Sequence, residues 1–209
     1  MPPEERFVPR FAAEPPQEEL PYGRWEERLR QEFLGAALRL DAEGEDLGGP
    51  GTIAWYPDRS WHGHTYVPGT TLTSTGYELF GYVRFQPGGE GEEPSEFSAY
   101  VDFTEETAER NPDWKLDLCD EIIGTWRGEN GAAAMTLVWG RPLISGGKIV
   151  TAELADLAVD QCALIEERFT LIAPDDYRQD LLEIKLFDGR ARELARESLY
   201  EGDEDEDEG

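Results

Sequence analysis

The only two histidines of the chain stand two residues apart, in Ser60-Trp61-His62-Gly63-His64-Thr65-Tyr66. In an extended segment, residues two apart point to the same side, so His62 and His64 would both reach one ion. Imidazole pairs suit zinc, copper, iron or nickel, and a histidine also serves as a general acid or base. A third ligand would have to come from Asp58, Glu78 or Glu96. The plainer reading makes the segment an aromatic, polar loop or strand at the surface. In that case Trp55, Trp61 and Tyr66 offer aromatic anchors to a protein partner, since such residues mark interface centres.

Other reactive side chains give weaker signals. Cys162 falls among apolar residues and reads as a small core residue. Cys119 adjoins Asp120 and Glu121, whose charges oppose a thiolate. Two cysteines 43 residues apart fit neither a disulfide framework nor a closed zinc site. Asp117, Asp120 and Glu121 become neighbours if their segment is a strand. Ser145-Gly146-Gly147-Lys148 lacks the spacing and hydroxyl of a phosphate-binding loop, and Gly48-Gly49-Pro50-Gly51 reads as a turn.

His62-Gly63-His64 resembles the His-x-His of cupin barrels. Thr65, Tyr66, Val67 and Pro68 stand where that family carries a glutamate, so its metal site does not transfer. Gly124-Thr125-Trp126 resembles the Gly-x-Trp that opens lipocalin-type barrels, but it falls mid-chain, and Trp126 reads as core. Neither resemblance assigns a family.

The net charge is −27. Residues 201–209 hold seven acids and no base, while residues 20–200 still hold 34 acids against 17 bases. The acidity therefore belongs to the folded part as well as to the terminus. Such a surface repels phosphates and anionic headgroups, which argues against direct nucleic-acid or membrane binding and for a basic protein partner. It also permits mimicry of nucleic-acid charge, or plain solubility in a salt-adapted host; only Lys115, Lys148 and Lys185 are lysines. With no signal-peptide pattern and no long apolar run, the chain is expected in the cytoplasm.

The elements that would position these residues follow from periodicity. Residues 1–19, rich in proline and glutamate, are expected as a loose arm. Trp25, Leu29, Phe33, Ala37 and Leu40 recur at helical spacing over Tyr22–Leu40. Thr52–Tyr56, Tyr77–Phe85, Phe97–Phe103, a stretch from Trp114, Ile122–Trp126 and Met135–Trp139 read as strands. In the third of these, Phe97, Ala99, Val101 and Phe103 turn inward. Asn130-Gly131 is a tight-turn pair. From Thr151 onward, Leu154, Leu157, Ala158, Cys162, Ile165, Phe169 and Ile172 form a helical stripe. Pro174-Asp175-Asp176 then opens a further helix.

These elements predict one α+β domain over 20–200: an N-terminal helix, an antiparallel sheet of five or six strands, and C-terminal helices packed on it. A disordered acidic tail is expected at 201–209. Small secretion-chaperone domains are similar in element order alone. The expected function is a non-catalytic interaction protein, adaptor- or chaperone-like, with a metal or small-molecule site at His62 and His64 as the alternative. No cofactor is specified.

Overall fold

The computed structural model describes residues 23–42, 44–89, 92–128, 131–175 and 181–199. The expected arm (1–19), the acidic tail (201–209), Asn130 and the start of the proposed second C-terminal helix (176–180) lie outside the described residues. Among these residues one helix, α1 (Gly23–Ala37), precedes β1 (Ala54–Trp55), β2 (Arg59–Trp61), β3 (His64–Leu72), β4 (Glu78–Gln86) and β5 (Ser95–Thr104). Then come β6 (Leu116–Gly128), β7 (Gly131–Pro142), β8 (Ile149–Leu154), β9 (Leu157–Ala163), β10 (Phe169–Asp175), β11 (Glu183–Phe187) and β12 (Glu193–Ser198).

Among the described residues all pairings are antiparallel, in three sheets. Sheet one runs β1-β3-β4-β5, with β2 also on β3; sheet two runs β10-β7-β6; sheet three runs β12-β11-β8-β9. Pro68 lies mid-way along β3, opposite Tyr82 of β4. A proline there lacks a ladder donor. β1 pairs with Gly69 and Thr70 and β2 with His64 to Tyr66, so Pro68 falls where the two short neighbours part.

The layers follow from which faces are apolar. β4 alternates strictly between partly exposed and buried positions. Its buried side chains Leu79, Val83 and Phe85 lie under Leu29 and Phe33 of α1, with Trp55 and Val101 beside them. Trp25 meets Phe85 edge-on at 4.9 Å. The helical stripe and the inward face of β5 are therefore as the periodicity predicts. The opposite face of sheet one, with Tyr66, Phe80 and Tyr82, packs on Met135, Leu137, Trp139 and Ile172 of sheet two. The far face of sheet two, with Val138, Phe169 and Leu171, packs on Val150, Ile184 and Leu186 of sheet three. The order is helix, sheet, sheet, sheet.

The expected α+β class, with one sheet of five or six strands and C-terminal helices packed on it, is corrected: the described residues are mostly β, in three sheets, and the described parts of the C-terminal stretch, 149–175 and 181–198, carry the strands β8 to β12. Leu154 pairs with Leu157 across Ala155-Asp156, whose φ angles are 51° and 63°. Ile165 pairs with Arg168 across Glu166-Glu167, at 48° and 60°. Both are two-residue hairpin turns with positive φ, which ordinarily announce themselves by Asn-Gly or Asp-Gly. Without those residues, apolar positions drawn from three strands imitate one helical stripe. β10 hides its type further, because it is buried on both faces and shows no alternation. Pro174 fits because β10 pairs on one side only within sheet two.

Candidate functional site: a tyrosine and carboxylate face between two sheets

His62 and His64 do not share an extended strand. His62 and Gly63 form the two-residue turn between β2 and β3, with φ of 53° and 79°, and Trp61 pairs with His64 across it. His62 is exposed, and the His64 ring leans on its own hairpin, with Nδ1 3.3 Å from the His62 carbonyl. Among the described residues, no three His, Cys, Asp or Glu side chains gather as they would around a metal ion. Glu78 sits at the opposite end of the β3–β4 ladder from His64, about 26 Å away by strand rise. Asp58 precedes β2, and Glu96 lies exposed near the start of β5.

The aromatic trio separates. Trp55 is 4% exposed and meets Phe33 edge-on at 5.8 Å; Tyr66 is 2% exposed. Both serve the core. Trp61 keeps part of its ring at the surface, tilted against His62 and laid over Gly124 of β6. A Cβ on Gly124 would meet that ring at 2.6 Å, so only glycine admits Trp61 here. β6 bulges between Ile122 and Gly124, beside this contact.

Next to Trp61 the two sheets present a polar face. Tyr82 of β4 stands opposite Tyr100 of β5, and the rings stack at 5.9 Å and 27°. Tyr66 meets Tyr82 edge-on at 5.4 Å. The Tyr100 hydroxyl donates to Asp102 Oδ2 at 3.2 Å, and Glu121 of β6 is also close to it. Burial first, then the Glu121 and Asp102 charges, hold the Tyr100 hydroxyl far above its ordinary pKa. Burial and Glu121 push Tyr82 up to about 12. Burial also raises the Glu121 carboxyl, partly offset by the neighbouring Tyr100 hydroxyl and the Ile122 amide. Arg84 lies at the same face, donating through Nε to Ser98 Oγ at 3.2 Å. Both phenols are thus protonated donors at neutral pH, set among carboxylate acceptors.

Deeper along the seam, burial and the Asp117 charge raise the Glu78 carboxyl. Arg141 Nε donates to Asp117 Oδ2 at 2.9 Å. Cys119 lies close to both acids, and burial together with Glu78 and Asp117 pushes its thiol well up. Burial lifts Cys162 to about 12. Both shifts oppose thiolate formation. What this face does chemically is offer π-systems and carboxylates together, a setting that suits a guanidinium or an ammonium group.

The face was half legible beforehand. Placing Phe97, Ala99, Val101 and Phe103 inward puts Tyr100 and Asp102 on the opposite side, and Asp117 and Glu121 share a side of one strand. Their convergence needs the packing of sheet one on sheet two, which no local pattern encodes. No family model, curated protein or solved structure matches the chain.

Proposed function

We propose that this chain is a non-catalytic interaction protein, adaptor- or chaperone-like, whose partner presents a basic segment to the tyrosine and carboxylate face. The observation that carries this reading is the Tyr82–Tyr100 stack with Asp102 and Glu121 close to the Tyr100 hydroxyl, within a chain of net charge −27. A cation over a tyrosine face gains about 0.5–1 kcal/mol when exposed and about 2 when desolvated. A charge-assisted hydrogen bond to a carboxylate adds to that. The wider negative field steers a basic partner inward and makes its arrival rate depend on salt.

The test is calorimetric titration of the full chain with an octa-arginine peptide at low ionic strength. The reading predicts measurable binding that falls at least tenfold in the Asp102→Asn, Glu121→Gln double variant. It predicts no comparable fall when two acids of α1, Glu26 and Glu32, are neutralised instead. Equal losses from both variants would reduce the interaction to bulk charge.

A further inference from the structure

β5 is the last strand of sheet one. β4 pairs with one of its sides, and among the described residues no strand pairs with the other. The register shows which backbone groups face outward. Gly81 stands opposite Val101, and a Cβ on Gly81 would lie 2.8 Å from Val101 Cα. So close an approach marks the narrow, non-hydrogen-bonded pair of an antiparallel ladder, whose N–H and C=O groups turn away from each other. By the period of two, the N–H and C=O groups of Ala99 and Val101 face the outer edge. The Phe103 amide follows the same phase and donates to its neighbour Asp102 at 2.8 Å, a contact the ladder would otherwise occupy.

Among the described residues no strand covers the edge where it borders the candidate site, and α1 packs on the apolar side of β5. Exposed edges are commonly blunted by proline, lysine or a bulge. Here Pro94, the register shift and Glu96, at φ 54°, all lie at the beginning of β5, and Ser98 to Thr104 carry none of these devices. Ser98, Tyr100 and Asp102 point from this stretch toward the polar face. Tyr100 and Asp102 are one strand repeat apart, about 7 Å, which is also the spacing of alternate side chains in any extended segment.

Resting on the function proposed above, we infer that the basic segment binds as an added antiparallel or parallel strand on the outer edge of β5. Its alternate arginines or lysines lie over Tyr100 and beside Asp102 and Glu121. Main-chain bonds to Ala99 and Val101 supply affinity, and the alternating cations supply selection. The negative charge of the surrounding face selects this occupant over a second copy of the same acidic chain.

The experiment compares three eight-residue peptides of alternating arginine and valine. One is unmodified, and the others are N-methylated at every second residue, in the two possible phases. Strand addition predicts that methylation in one phase weakens binding at least tenfold while the other phase leaves it within twofold. It also predicts that amide exchange at Ala99 and Val101 slows at least tenfold on binding the parent peptide. If both methylated peptides bind like the parent, the face binds cations without strand addition and the inference fails alone. If the parent does not bind, the proposed function fails with it. If Ala99 and Val101 are already protected in the free protein and it sediments as a dimer, a second copy holds the edge and the inference is overturned.

Discussion

Arg59 should be among the least replaceable side chains in the molecule, and the cost should depend on which member of its ion pair is removed. Arg59 lies on β2 of sheet one, with its side chain 2% exposed, and its Nη2 donates to Asp160 Oδ2 on β9 of sheet three. The same oxygen accepts from the Ile172 amide of β10 at 2.9 Å, and Oδ1 accepts from the Gln161 amide at 2.8 Å. The pair thus ties three strands in three different sheets. Removing one member of a buried pair strands the other charge and costs about 3–5 kcal/mol, whereas replacing both by apolar groups is often near neutral. Asp160→Leu should incur the full cost at every working pH, because a guanidinium cannot shed its proton.

Arg59→Met leaves a carboxyl that burial already raises above its ordinary value, and loss of the Arg59 charge raises it further. A carboxyl with a raised folded pKa imposes its penalty above that pKa and relinquishes it as pH falls toward the unfolded value near 3.9. The Arg59→Met deficit should therefore shrink on acidification while the Asp160→Leu deficit does not. Urea unfolding monitored by tryptophan fluorescence at pH 7.5 and pH 4.5 measures both. The double variant Arg59→Met, Asp160→Leu should recover more than half of the larger single cost. Additive single costs, or an Arg59→Met deficit that ignores pH, would refute the buried-pair reasoning.

Three other variants probe separate features. In the β9–β10 turn, Glu166→Asn with Glu167→Gly relieves two residues held at positive φ; left-handed strain of about 1–2 kcal/mol each against about 0.5–1 for glycine entropy predicts a net gain of about 1 kcal/mol in thermal unfolding. Gly124→Val drives a side chain into the Trp61 ring, with an overpacking cost of about 1–3 kcal/mol and a red-shifted tryptophan emission; an unchanged spectrum would contradict the contact. Asp120 is raised to about 6 by burial and by the Asp175 and Glu121 charges, although its side chain remains exposed. Stability held below about pH 4 is thus lost as pH rises through 6, and solvent screening cuts the nominal ~3 kcal/mol to about 1. Asp120→Asn should recover that amount at pH 7 and nothing at pH 4.

What the sequence could disclose depended on how each element is buried. α1 and strands β4 and β5 each have one covered face and one wetter face, so Trp25, Leu29 and Phe33, or Leu79, Val83 and Phe85, kept their periodicity visible. β10 is covered on both faces, and its run Phe169-Thr170-Leu171-Ile172-Ala173 has no phase to read. The hairpins at Ala155-Asp156 and Glu166-Glu167 use residues with no turn signature, held at positive φ by the strands they join. The histidines mislead in the opposite way. An alternating His-x-His looks extended, yet His62-Gly63 is itself a turn. For the site, Tyr100 and Asp102 were placed on a common face by alternation alone. Glu121 joins them only because sheet two, which carries β6, packs on this face of sheet one.

The most direct test of the account is to map where a basic peptide lands. Amide and aromatic NMR spectra of the full chain are recorded with and without one equivalent of octa-arginine in physiological salt. The account predicts shifts concentrated on Tyr82, Tyr100, Asp102, Glu121 and Trp61, with α1 and sheet three unmoved. Shifts spread evenly over the acidic residues of all layers, or none at all, would contradict it.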